Sequence, residues 1–111
     1  MNWKEIKNKT YAEISNALQI AVAYKPNNFE TWAKAIEVVG KIAQPLVDDG
    51  TLNDYQIICD GETNDDEVKR LHMFVLKFGW KEHEGDEWTV CDFTFGPQGS
   101  EITDTTSIAQ N

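Results

Sequence analysis

Apolar positions recur at helical spacing over the first half of the chain and at strand spacing over the second. Trp3, Ile6, Thr10, Ile14, Ala17, Leu18 and Ala21 advance in steps of three and four, one face of an amphipathic helix. Asn2 with Glu5 makes a capping box at its start. Tyr24-Lys25-Pro26 ends it, because a residue before proline is driven out of helical dihedrals. Asn27-Asn28 caps a second helix carrying Phe29, Trp32, Ala33, Ile36, Val39, Ala43, Leu46 and Val47. Pro45 is expected to kink or restart that helix. Gly50 stops it in the left-handed conformation that glycine adopts without penalty. The pattern therefore predicts helices over about 3–23 and 28–49. Asp48 and Asp49 stand at the wrong end for the helix dipole, so a compensating group is expected nearby.

Three strands follow, over about 54–60, 70–79 and 87–95. The run Tyr55–Cys59 is short and rich in β-formers, and Leu71–Phe78 is apolar on both faces, as in a central strand. The third strand alternates, with Trp88 and Val90 on one face and Cys91, Phe93 and Phe95 on the other. Gly79–Asp86 reads as the hairpin loop joining the last two. In that hairpin Trp80 and Trp88 either pack on each other across the strands or leave one ring free as an interface anchor. Residues 97–111, rich in Ser, Thr and Gly, read as an extended C-terminal arm with little core of its own. The fold class is thus α+β: two N-terminal helices packed on a small three-stranded sheet, mixed or antiparallel, in a single domain over 1–96. A sheet this narrow leaves strand edges to which another chain can add.

Charge sharpens this picture. The chain of 111 residues has a formal net charge of -9, which argues against nucleic acid and against anionic membrane surfaces as partners. Residues 48–67 hold eight acids and no Lys or Arg, whereas the remainder carries eleven acids and ten bases. The negative charge therefore belongs to one segment, which reads as a solvated face or as a docking patch for a basic neighbour. The N-terminus is too polar for a signal peptide, and no run of apolar residues approaches a membrane span. The cysteines, Cys59 and Cys91, form no CxxC pair, which fits a reducing compartment.

Candidate chemistry is sparse. Asp60, Glu62, Asn64 and Asp66 alternate like the ligands of a calcium loop, but the turn glycine and the distal bidentate glutamate are out of register. Cys59, Cys91, His72 and His83 lack the close-spaced pairs of a zinc site. Both cysteines sit in strand patterns, where they behave as small hydrophobes. His72 alternates with the apolar residues of its strand and reads as packed or paired, and His83 as solvated. No nucleophile, base and orienter stand in plausible relation, so no enzyme, no metal and no cofactor is expected.

Several short motifs, in order, carry a resemblance. Tyr24-Lys25-Pro26-Asn27 links the helices, Gly50-Thr51-Leu52 turns the chain, Tyr55-Gln56-Ile57-Ile58-Cys59-Asp60 forms a strand, and Thr63-Asn64 sits in the following loop. Over about residues 10–95 this resembles the C-terminal domain of contractile phage tail sheath proteins. The family's large N-terminal domains have no counterpart here. Glu67-Val68-Lys69-Arg70 replaces the family's "Ile-Asp-x-Asn", and Phe78-Gly79-Trp80 replaces its "Lys-Pro". The resemblance implies a freestanding structural module of a phage-like contractile tail, assembled in the host cytoplasm and residing in the virion. It also implies that neighbouring subunits, of its own kind or of the tail or neck, exchange strands with it. On this reading Phe78, Trp80, Ile102 and Ile108 supply contacts, and Asp60, Glu62, Asp65, Asp66 and Glu67 orient a basic partner. The charge alone supports an alternative, a small acidic phage-encoded inhibitor of a basic host protein.

Overall fold

The computed structural model describes residues 2–82 and 87–96 and the backbone of the two-residue strand Thr103–Asp104. The expected α+β architecture is present. Two helices, α1 (Trp3–Val22) and α2 (Phe29–Asp48), pack on one face of an antiparallel sheet. Its three long strands are β1 (Leu52–Ile58), β2 (Phe74–Glu82) and β3 (Trp88–Gly96), in that spatial order. A five-residue helix, α3 (Asp66–Arg70), lies between β1 and β2. The short β4 (Thr103–Asp104) pairs with β3 at Phe95 and Gly96.

The helix ends follow the sequence signals. Asn2 Oδ1 accepts the Glu5 N–H at 2.9 Å, and Asn28 Oδ1 accepts that of Thr31 at 3.3 Å. Tyr24, at φ 62°, turns the chain out of α1 just before Pro26, and Gly50, at φ 83°, does so after α2. The two aspartates at the C-terminus of α2 find local partners. Gln44 Nε2 donates to Asp48 at 2.9 Å, and the Thr51 N–H donates to Asp49 at 2.8 Å. Thr51, first through its hydroxyl and then through this N–H, holds the Asp49 carboxyl below its ordinary range.

Several expectations are corrected. α2 runs through Pro45 to Asp48 as one helix instead of restarting there. Its buried ridge is the small-residue row Thr31, Ala35, Val39 and Ala43, so Phe29 and Ile36 turn toward solvent at 75% and 38% exposure. β2 begins at Phe74, because the chain turns at Leu71–Met73 with His72 left-handed at φ 56°. His72 is therefore exposed in a turn and not packed within a strand. At its other end β2 runs on to Glu82, so Gly79 and Trp80 lie in the strand and not in the hairpin loop.

The core lies between the sheet and the helices. β2 contributes Phe74, Leu76, Phe78 and Trp80, β3 contributes Cys91, Phe93 and Phe95, and α1 contributes Tyr11, Ile14, Leu18 and Val22. Each large apolar side chain removed from water there contributes about 1.5–3 kcal/mol. Trp80 sits in an aromatic cluster, its ring centroid 4.9 Å from Tyr11, 5.3 Å from Phe78 and 5.6 Å from Trp3. α1 thus covers β2 and β3. α2 lies toward β1, where the Tyr55 hydroxyl donates to Gln44 at 2.9 Å.

Candidate protein-binding site

The segment between β1 and β2 is shaped by polar side chains. Asp60 Oδ1 accepts the N–H groups of Glu62 at 2.9 Å and Thr63 at 3.0 Å, closing a turn. Asp65 Oδ1 accepts the Val68 N–H at 2.9 Å and caps α3. Asn64, with no exposed surface, donates from Nδ2 to the Val75 carbonyl at 2.8 Å and accepts the Val75 N–H at 2.8 Å. Asn27, from the link between the helices, donates to Asn64 Oδ1 at 3.1 Å and to the Met73 carbonyl at 3.0 Å. Trp32 Nε1 in turn donates to Asn27. The Lys-Pro-Asn and Thr-Asn motifs therefore meet in one buried polar knot. Their visible role is to fix the corner of the sheet.

Cys59 belongs to the same corner. Burial pushes its thiol up to about 12; the Asn64 amide opposes that shift and the nearby Asp60 charge adds to it. A thiol so placed stays protonated at neutral pH. Among the described residues, no group of three or more His, Cys, Asp or Glu is placed to hold a metal ion. Asp60 and Asn64, of the calcium-like series, spend their side-chain oxygens on the turn and on the Val75 N–H.

The acidic candidates Asp60, Glu62, Asp65, Asp66 and Glu67 are all exposed on this segment. Phe78 and Trp80, each 1% exposed, are not surface anchors; they are the centre of the core. Ile102 and Ile108 lie outside the described residues. Trp80 and Trp88 do not pack on each other. Trp80 pairs with Thr89, and Trp88 with Lys81, so the two indoles stand on opposite faces of the sheet.

The face turned away from the helices is the open surface. Trp88 and Val90 stand there at 44% and 58% exposure, and Lys81 Nζ lies 5.9 Å from the Trp88 ring centroid. Trp88 and Val90, with Gln56, Ile58, Lys77 and Gly79, line a depression of about 130 Å³. That is well below the roughly 300–1,000 Å³ of a small-molecule site, and it suits a side chain of a partner protein.

The two sheet edges differ. In an antiparallel sheet a residue sends its N–H and C=O to the same side, and successive residues alternate. Val75 directs both to Asn64 on the β1 side. By alternation Phe74, Leu76, Phe78 and Trp80 address β3, and their partners Phe95, Phe93, Cys91 and Thr89 address β2. Trp88, Val90 and Asp92 then point outward, and among the described residues no backbone partner meets them. On the β1 edge, by contrast, the Tyr55 N–H is taken by the Asp54 carboxylate at 2.8 Å, and the register shifts between Leu52 and Asp54. A bulge and a carboxylate blunt that edge against strand addition. Among the described residues, none gives the β3 edge such protection over Trp88–Asp92. Alternation in the sequence placed Trp88 and Val90 on one face. It carried no signal that this face and edge would be the ones left uncovered by the described residues.

Compared with known proteins, the chain matches no family model, no curated protein and no solved structure.

Proposed function

We propose that this chain is a protein-binding assembly module of a phage-like contractile tail, a virion component that takes up a strand from a neighbouring subunit on the outer edge of β3. The observation that carries the reading is that, among the described residues, the backbone of Trp88, Val90 and Asp92 meets no partner beside two exposed apolar side chains. A strand laid there gains main-chain hydrogen bonds from the edge and side-chain contacts from Trp88 and Val90. The ordered Lys25-Pro26-Asn27, Cys59-Asp60 and Thr63-Asn64 motifs support the tail assignment, and the exposed carboxylates of Asp60–Glu67 support docking of a basic neighbour.

Val90→Pro tests the reading. The Val90 N–H points away from β2, so proline there removes no bond of the β2–β3 ladder while blocking the outer edge. The wild-type chain is expected in purified tail particles by mass spectrometry and negative-stain labelling. A Val90→Pro chain with an unchanged circular dichroism spectrum is expected to be missing from them. Particles that lack the wild-type chain, or that take up both chains equally, overturn the reading.

The clustered, exposed carboxylates favour one second reading, a small acidic inhibitor of a basic host protein. It requires tight binding that weakens steeply with salt.

A further inference from the structure

β4 sets a register that leads along the outer edge of β3. It pairs antiparallel with β3, Phe95 opposite Asp104 and Gly96 opposite Thr103. In an antiparallel ladder each further residue of one strand meets the preceding residue of the other. Residues 105–111 lie outside the described residues. Carried on in the β4 register, they meet Thr94 back to Trp88 in turn. Ser107 then stands opposite Asp92, Ala109 opposite Val90 and Asn111 opposite Trp88, the residues of β3 whose backbone groups point outward.

We infer that in the free chain its own residues 105–111 extend β4 along β3 to Trp88, and, resting on the strand-addition reading above, that a neighbour's strand enters by displacing them. The side chains agree with the register. Opposite residues of antiparallel strands share a face. Ile108, the one large apolar residue of 105–111, falls opposite Cys91, which is buried on the helix side with Phe93 and Phe95. Tyr11 of α1 lies beside Cys91, and α1 also packs against β4, so that side gives Ile108 a covered place. A slip of one residue would turn Ile108 to the open face.

On the open face the segment offers small and polar side chains. Ala109 covers part of Val90, and the Ser107 hydroxyl can donate to the Asp92 carboxylate. Residues 105–111 carry no charged side chain, so they lie against Asp92 without like-charge repulsion. Covering an open strand edge with the chain's own segment is a common guard against unplanned pairing. The same composition makes the segment replaceable. It brings no large apolar side chain to Trp88 and Val90, whereas a neighbour's strand with apolar residues on that face gains both contacts.

Cysteine pairs read this register on the full-length protein. Residues opposite each other in a hydrogen-bonded antiparallel pair have Cα atoms about 5.5 Å apart, within the span of a disulfide. Protein carrying Val90→Cys with Ala109→Cys, oxidised with diamide, is expected to close that bond within one chain, read as a monomer band on a non-reducing gel and by mapping of chymotryptic peptides. Val90→Cys with Thr105→Cys, out of register, is expected to stay open. Cys59 and Cys91 are buried, and the wild type run in parallel reports their background. The Val90 and Asp92 amides are expected to exchange with deuterium about tenfold slower in the wild type than in a chain lacking 105–111. Those of Cys91 and Phe93, which face β2, are expected to be unchanged. An open first pair, closure of both pairs alike, or equal exchange in the two chains overturns the extension of β4. Covalent dimers in place of the closed monomer overturn it too and assign the edge to a second copy. Deleting 105–111 is expected to leave uptake into tail particles at or above the wild-type level; loss of uptake overturns the displacement, because the segment is then itself the contact. Closure in the isolated protein with no wild-type chain in tail particles keeps the extension of β4 and removes the tail assignment. Uptake that Val90→Pro abolishes, with no closure, keeps strand addition and removes the extension.

Discussion

The side-chain amide of Asn64 pairs with the backbone of Val75 on both of its hydrogen-bonding groups, at 2.8 Å each. β1 pairs with β2 only as far as Ile58 and Lys77. Asp60, which continued pairing would set opposite Val75, instead turns the chain, and the Asn64 amide takes the place of the missing strand. Removing it leaves the Val75 N–H with no partner and the Val75 C=O with only the Cys59 thiol, 3.7 Å away. Asn64→Ala is expected to cost about 1–3 kcal/mol, the cost of one orphaned group. Asn64→Asp keeps the shape but, when ionised, cannot donate to the Val75 carbonyl. Its stability is therefore expected to recover as pH falls and the carboxyl protonates, which urea unfolding at two pH values would show.

Two strand glycines predict opposite outcomes. A Cβ added at Gly79 would meet the Trp88 ring at 3.5 Å and Val90 Cγ2 at 3.8 Å, ordinary packing distances. Gly79→Ala is expected to stabilise by about 0.5–1 kcal/mol, through lower unfolded-state entropy and a better strand residue. At Gly96 the added carbon would stand 2.7 Å from Met73 Sδ and 3.4 Å from the His72 carbonyl. The methionine can move aside but the turn backbone cannot, so Gly96→Ala is expected to destabilise by about 1–3 kcal/mol. Thermal melts of the two variants give the signs.

Much of this architecture was legible in the sequence because its signals are local. Asn2 and Asn28 cap, Gly50 stops, and period-two alternation separates Cys91, Phe93 and Phe95 from Trp88 and Val90. What was not legible depends on tertiary context. Leu71 and His72 extend an apolar run, and nothing in periodicity reveals a left-handed residue there. α3 is too short to show a helical period, and its Asp65 cap is visible only in the structure. Trp80 and Trp88 were placed together because the length of the hairpin decides register, and a slip of one residue exchanges the faces. Phe78 and Trp80 as contacts follow from the resemblance, and their burial corrects that. Alternation says which residues share a face and is silent on which face the helices cover.

Cys59 makes stability pH-dependent on the alkaline side. Its thiol ionises near 9 when unperturbed and near 12 in the folded chain, chiefly through burial. Between those values the unfolded chain has lost the proton and the folded chain retains it. The contribution is therefore complete below about pH 9 and lost as pH rises toward 12. Tyr11, also pushed up to about 12 by burial and by Cys91, acts in the same direction above its ordinary 10. Urea midpoints are expected to fall from pH 9 upward, and Cys59→Ala to flatten part of that fall. Cys59 in the native protein is also expected to resist iodoacetamide at pH 8 until denaturant is added.

The acidic segment and the β3 edge lie on opposite sides of the sheet, so charge removal should separate their roles. Alanine is a poor probe, because Asp65→Ala removes the α3 cap and is expected to cost about 1 kcal/mol. Asp60→Asn and Asp65→Asn keep a side-chain oxygen for the N–H groups now bound. Glu67→Gln gives up only an exposed pair with Arg70, worth about 0.2–1 kcal/mol. A protein carrying these three changes with Glu62→Gln and Asp66→Asn is expected to keep its circular dichroism spectrum and its melting temperature within a few degrees. Its affinity for a polylysine probe is expected to drop and to lose most of its salt dependence. Uptake of this protein into tail particles is expected to match the wild type, because the β3 edge is untouched. If uptake vanished while the fold remained intact, the acidic segment itself would belong to the contact, and strand addition on β3 alone would have to be abandoned.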